Sequence, residues 1–142
     1  MTQDSSNSNN RDRRQETGDT AIKSFTDLKA WEVGHELVLV AYKMTDSFPE
    51  AEQYSLVDQM RRSAVSNTSN IAEGFGRRGY GDKERFHYMA QGSVSELKKQ
   101  LLIARDIGYI SAGTFQEIAN KANRAHALLQ GLISSTKELC DS

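Results

Sequence analysis

Residues 57–75 carry two patterns at one spacing. Val57, Met60, Ala64, Ile71 and Phe75 recur at threes and fours, as one face of an α-helix does. Gln59, Arg62, Ser66, Asn70 and Glu73 keep the same step on the opposite face. Such a helix gains little stability from propensity alone, so its apolar face must be buried against other helices. Its polar face is unusual. Short hydroxyls and an amide stand between Arg62 and Glu73, where long charged side chains normally cover a solvated surface. We read Gln59, Arg62, Ser66, Asn70 and Glu73 as a structural row suited to close contact with another surface. Its charged ends bond neighbouring helices or an adjacent subunit, and Glu96 is the expected partner of Arg62.

The same period organises the rest of the chain. A first helix is expected from about Thr26, as N-cap, to Ser47, before the only proline, Pro49. It carries two apolar arcs. Val33, Leu37, Val40, Ala41, Met44 and Phe48 form one; Leu28, Trp31, Val38, Leu39 and Tyr42 form the other. An ordinary surface helix has one stripe, so the second arc, with Leu28, Trp31, Val38 and Tyr42, reads as an oligomer interface. The alternative is a central helix wrapped by its own chain. The second helix spans about 55–75. Gly74, Gly76, Gly79 and Gly81 lead to a third helix, from an Asp82 N-cap to about Ile107. Its inner stripe is expected to hold Phe86, Met89, Ala90, Ser93, Leu97, Leu101, Ala104 and Ile107, with His87 outside it. Gly108 is a C-cap, and a fourth helix runs from about Thr114 to Leu139. Short connections favour antiparallel neighbours, so the chain reads as an all-α, antiparallel, up-down-up-down four-helix bundle.

The 142 residues suit one domain, with a disordered polar tail at 1–24 and the bundle at 25–142. A single cysteine, Cys140, excludes an internal disulfide. No apolar run approaches the ~20 residues of a membrane span, and the polar start lacks a signal peptide, so the expected location is cytoplasmic with no membrane partner. Net charge is −1, yet residues 59–105 hold nine Lys/Arg against four Asp/Glu. Arg61, Arg77, Arg78, Lys83, Arg85, Lys98 and Lys99 are therefore candidate phosphate contacts for RNA or DNA, with Tyr80 and Tyr88 placed to stack on bases. The bland reading of the same residues is a set of solvated faces.

Nothing points to catalysis. Glu84-x-x-His87 has the spacing of a bundle metal motif, but no second Glu-x-x-His completes it. Cys140 stands two residues from the end, without the held, electropositive setting sulfur chemistry needs. Ser63, Ser66 and Ser69 lack a nearby base. The expectation is a protein without enzymatic activity or cofactor.

Four segments carry a resemblance. They are Phe25-x-Asp27-Leu28-x-x-Trp31, Gln59-x-Arg61-Arg62-x-Ala64-x-Ser66, Asn70-Ile71-Ala72-Glu73-Gly74 and Ser93-x-x-Glu96-Leu97. They resemble the four-helix bundle family first noticed in proteins encoded by intervening sequences of bacterial 23S ribosomal RNA genes. The likeness runs from about Phe25 to Leu139. It implies a homopentamer and no established enzymatic activity. A related accessory protein of diversity-generating retroelements works with a reverse transcriptase and nucleic acid, which implies an adaptor role beside such an enzyme; the rival reading is a protein-protein interaction scaffold with no nucleic acid. One departure stands out: Asn67-Thr68 occupies a place where the family usually has an apolar residue followed by Pro or Val.

Overall fold

The computed structural model describes residues 22–141, without the side chains at 140 and 141. The expected tail lies outside it up to residue 21, as does the Cys140 thiol. The described residues hold four long helices and no strand: α1 (Lys29–Thr45), α2 (Leu56–Phe75), α3 (Tyr80–Ile107) and α4 (Ala112–Asp141). No helix among them is long and apolar enough to cross a membrane.

The helix starts differ from those the sequence suggested. Thr26 is not an N-cap. Ser24 caps a single 3-10 turn, Phe25–Asp27, and the Asp27 carboxylate accepts from the Ser24 N–H at 3.1 Å, a complete capping box. α1 then starts at Lys29. Asp82 does not cap α3, which starts two residues earlier behind Gly79, leaving Asp82 in the first turn, where a carboxylate suits the helix dipole. α4 starts at Ala112; the Ser111 hydroxyl accepts from the Thr114 N–H at 3.0 Å. Gly108 ends α3 as expected. Its φ of 96° is left-handed, and the Tyr109 N–H turns back to the Ala104 carbonyl at 2.8 Å.

α1 packs on α2, α2 on α3, α3 on α4 and α4 on α1. Gly34 faces Asn67 and Thr68, whereas Thr45 and Asp46 take the guanidinium of Arg61. Gln91 bonds Gln130 and Lys98 bonds Asn123, each at 3.1 Å. The core is built from Val33, Leu37, Met60, Ile71, Val94, Leu97, Leu101, Leu129 and Ile133, all essentially inaccessible.

α3 is rotated from its expected setting. His87, Val94 and Gln100 are buried, while Met89 and Ile107 are exposed and Ser93 is half-buried. Phe86, Ala90, Leu97, Leu101 and Ala104 do face inward, so the displacement is a small turn of the helix that brings in His87, Val94 and Gln100 and leaves Met89 and Ile107 at its edge. Asn67, the departure noted above, is 1 % exposed, and neither its amide nitrogen nor its oxygen has a partner among the described residues.

Candidate functional site

The candidate cations separate into three places. Arg77, Arg78, Lys83 and Arg85 gather where α2 turns into α3. This turn is short: Gly76 closes α2 by donating to the Ala72 and Glu73 carbonyls, and Gly79 opens α3. Gly74 lies inside α2, where its missing side chain lets Phe86 and His87 approach; a Cβ there would stand 3.1 Å from Phe86. Arg77 bonds Glu73 at 2.9 Å and lies 3.6 Å from Asp82. Arg85 bonds Asp82 at 3.0 Å. Both guanidinium groups rest on the Phe86 ring, at 4.7 and 4.5 Å from its centre. Lys83 donates to the carbonyls of Gly74 and Phe75 at 3.2 and 2.9 Å, so it closes the C-terminus of α2 rather than facing solvent as a bare charge. Arg78 is exposed and forms no ion pair among the described residues.

The other three stand apart. Lys98 and Lys99 lie about fifteen residues along α3 from Lys83, ~22 Å away. Lys98 donates to Asn123, and Lys99 pairs with Glu96 at 3.2 Å. Arg61 belongs to the seam of α1 and α2. It donates to the Thr45 hydroxyl at 2.9 Å, reaches Asp46 at 3.3 Å and lies over the Tyr42 ring at 4.4 Å. Tyr80 and Tyr88 are each about half exposed.

The polar row is partly as expected. The Ser93 hydroxyl donates to that of Ser66 at 2.9 Å, and the Asn70 amide donates to the Ser66 carbonyl at 2.8 Å, so small residues do let α2 and α3 approach. The charged ends need correction. Arg62 pairs with Asp58, four residues back in its own helix, at 2.8 Å, and Glu96 takes Lys99 instead. Arg62 and Glu73 are exposed, with side-chain accessibilities of 77 % and 55 %. Gln59 is exposed as well. A flexible guanidinium finds the carboxylate one turn away before it reaches across a helix pair.

Leu28, just before α1, and Trp31 and Val38 on it are half-buried against the core of their own chain, while Leu39 and Tyr42 face outward. Trp31 is further covered by the edge of Phe25, at 5.4 Å between ring centres, and by His35 stacked at 4.8 Å. His87 is the polar group sequence reasoning misplaced. It is buried, its Nδ1 has no partner among the described residues, and burial followed by the charge of Lys83 pushes its pKa down. The sequence sign that could have located it is Gly74, whose missing side chain makes room for the imidazole. Among the described residues no group of three His, Cys, Asp or Glu side chains could hold a metal ion.

A ring of long α-helices, each packed on its neighbours around one core, with its polar chemistry confined to helix seams and one cationic turn, defines a small helical-bundle protein. The chain belongs to the 23S rRNA-intervening sequence protein family, whose profile matches residues 26–131. Its fold is similar to a crystal structure of a protein of unknown function from the S23 ribosomal protein family of Bacteroides thetaiotaomicron. The two are 20% identical, with a TM-score of 0.66, over 73% of this chain and 97% of that one. Comparison with curated proteins returns no match.

Proposed function

We propose that this protein is a non-enzymatic, self-associating bundle of antiparallel up-down-up-down topology that works beside nucleic acid, as an adaptor for a nucleic-acid enzyme such as a reverse transcriptase. A pentamer is the assembly the family resemblance favours. The observation that carries the nucleic-acid reading is the meeting of Arg77, Arg78 and Arg85 at one helix turn in a chain of the 23S rRNA-intervening sequence family. Repetition of that turn around an assembly multiplies a modest charge into a track that a phosphate backbone can follow. Arg78 is the first contact, because it is exposed and not neutralised by a described carboxylate.

Filter binding to mixed single- and double-stranded RNA and DNA at ~50 mM salt tests the reading. Affinity should fall with salt at a log-log slope of roughly −0.7 to −0.9 per phosphate contacted. Arg78→Glu should weaken binding to all sequences alike, since backbone contacts carry no base information. Absence of retention at micromolar protein favours the second reading, a protein scaffold without nucleic acid. That reading has its own support: Arg61, Arg77, Arg85 and Lys99 are each held by a carboxylate of the same chain.

A further inference from the structure

The seam of α1 and α2 opens beside the first turns of α2 into a cleft of about 570 Å³. Tyr42 of α1, Tyr54 in the turn before α2, and Asp58, Arg61 and Arg62 of α2 line it. It stands at the end of α2 away from the basic turn. Both tyrosines offer a ring. The Arg61 guanidinium lies 4.4 Å from the centre of the Tyr42 ring. That guanidinium is itself held: it donates to the Thr45 hydroxyl at 2.9 Å, and to the Tyr42 carbonyl and the Asp46 carboxylate, each at 3.3 Å. Tyr42 is thus backed by a fixed cation, yet the residue stays 45 % exposed. Tyr54 is 93 % exposed and takes part in no hydrogen bond or ring contact among the described residues. Folding makes no use of its ring.

Arg62 supplies a third group. Only its Nε is engaged, by Asp58 at 2.8 Å, and its side chain is mostly exposed. Its two terminal amino groups have no partner among the described residues. They are the edge of a planar fork that holds a phosphate by two parallel bonds. Two arginines against one aspartate line the cleft, so its own charge is positive. Asp46 lies outside that lining and is exposed, where solvent screens it. An aromatic face, a free guanidinium edge, and the amide and hydroxyl of Gln53 and Ser66 at the rim are the groups that recognise a nucleotide. A duplex keeps its base faces in the stack, so only an unpaired strand presents one.

We infer that this cleft takes an unpaired base of a single strand, stacked against Tyr42 and Tyr54, with the adjoining phosphate on the terminal amino groups of Arg62. The inference rests on the nucleic-acid reading above and adds the class of strand. It gives Tyr42 a role other than the subunit contact its spacing suggested. The basic turn holds the phosphates of any strand, and the cleft adds a contact that only a single strand makes. Because Arg61 already fixes the Tyr42 ring, little side-chain freedom is lost on binding.

Fluorescence anisotropy with a labelled, unstructured single strand and with a duplex of the same length tests this, at ~50 mM salt. Tyr42→Leu with Tyr54→Leu removes both rings. It should weaken the single strand about 5- to 150-fold, the worth of one stacked base, while duplex affinity stays within about twofold. Tyr42→Phe with Tyr54→Phe keeps the rings and should bind the single strand as the wild-type chain does; a loss matching that of the leucine pair overturns stacking. Arg78→Glu, at the far turn, should weaken strand and duplex together. Equal losses for strand and duplex in the leucine pair, or no loss for either, overturn the cleft. If Arg78→Glu still weakens binding in that case, the nucleic-acid reading stands without it. If the wild-type chain binds neither probe, both fail. Circular dichroism checks that each variant is folded. Should the leucine pair unfold, Tyr54→Ala alone takes its place, since Tyr54 is bonded to no described residue.

Discussion

Asn67 packs against Gly34 where α1 meets α2. A Cβ on Gly34 would stand 2.6 Å from the Asn67 amide nitrogen and 3.1 Å from a Thr68 methyl carbon. The amide is buried with neither atom bonded among the described residues, a state that costs about 1–3 kcal/mol. Asn67→Leu, which keeps the branched outline and removes the unmet polar atoms, should therefore raise stability by about 1 kcal/mol in urea titration. Loss of stability instead would mean that a bound water completes the amide. Gly34→Ala should cost about 1–3 kcal/mol by overpacking, and less in an Asn67→Ala background, where the clash is gone; a double-mutant cycle reads that coupling. His87 gives the molecule a pH dependence. Its folded pKa lies below the ordinary 6.5 because burial and then Lys83 disfavour the charged ring, and His126 is lowered likewise by burial and then Lys98. An unfolded chain takes up protons at these sites first. The stability they contribute is full above about 6.5 and is lost as pH falls through the folded values. The melting temperature should fall from pH 7 to pH 5, with a shallower slope in His87→Gln.

At the scale of elements, the ends of the helices do more than the sequence announced. Lys83 is the clearest case. As a cation in a basic stretch it reads as a phosphate contact, but its ammonium group is bonded to two terminal carbonyls of α2 and serves the helix dipole. Lys83→Met should lower stability by about 0.5–1 kcal/mol while leaving the affinity for nucleic acid nearly unchanged; a large loss of affinity without a stability change would return it to the binding surface. Helix number, order and the glycine stop at 108 were legible because apolar spacing and left-handed caps are local properties of the chain. The rotation of α3 was not. Met89 and Ile107 border the continuous Ala90–Val94–Leu97–Leu101 stripe, and only the positions of α2 and α4 decide which border residues turn inward. Pairings such as Arg62 with Asp58 were missed for a related reason. A reader of spacing looks for a distant partner when a near one on the same helix is already sufficient.

For the molecule as a whole, assembly and stability should be linked. If copies of the chain associate as proposed, mass action makes the melting temperature rise with protein concentration; a melting temperature independent of concentration would count against self-association. The family was legible from a few segments, above all Asn70-Ile71-Ala72-Glu73-Gly74, because that helix end must be small where Phe86 and His87 press against Gly74. The burial of His87 was not, since burial is a property of four helices together.

The two ends of the bundle are unlike. At one end stand the α2–α3 turn and the start of α1. At the other, the remaining two connections are tied to each other: the Tyr109 hydroxyl donates to the Glu52 carboxylate at 2.7 Å, and Phe48 lies 5.1 Å from the Tyr109 ring. The bond holds the Tyr109 phenol above its usual pKa, and Ser55 and then Tyr109 hold Glu52 below the ordinary carboxylate value. A structure clasped at one end breathes from the other. Amide hydrogens around Glu50–Gln53 and Gly108–Ile110 should exchange with deuterium more slowly than those of the first turns of α1 and α3, and Tyr109→Phe should quicken both connections together while leaving the far end as it was.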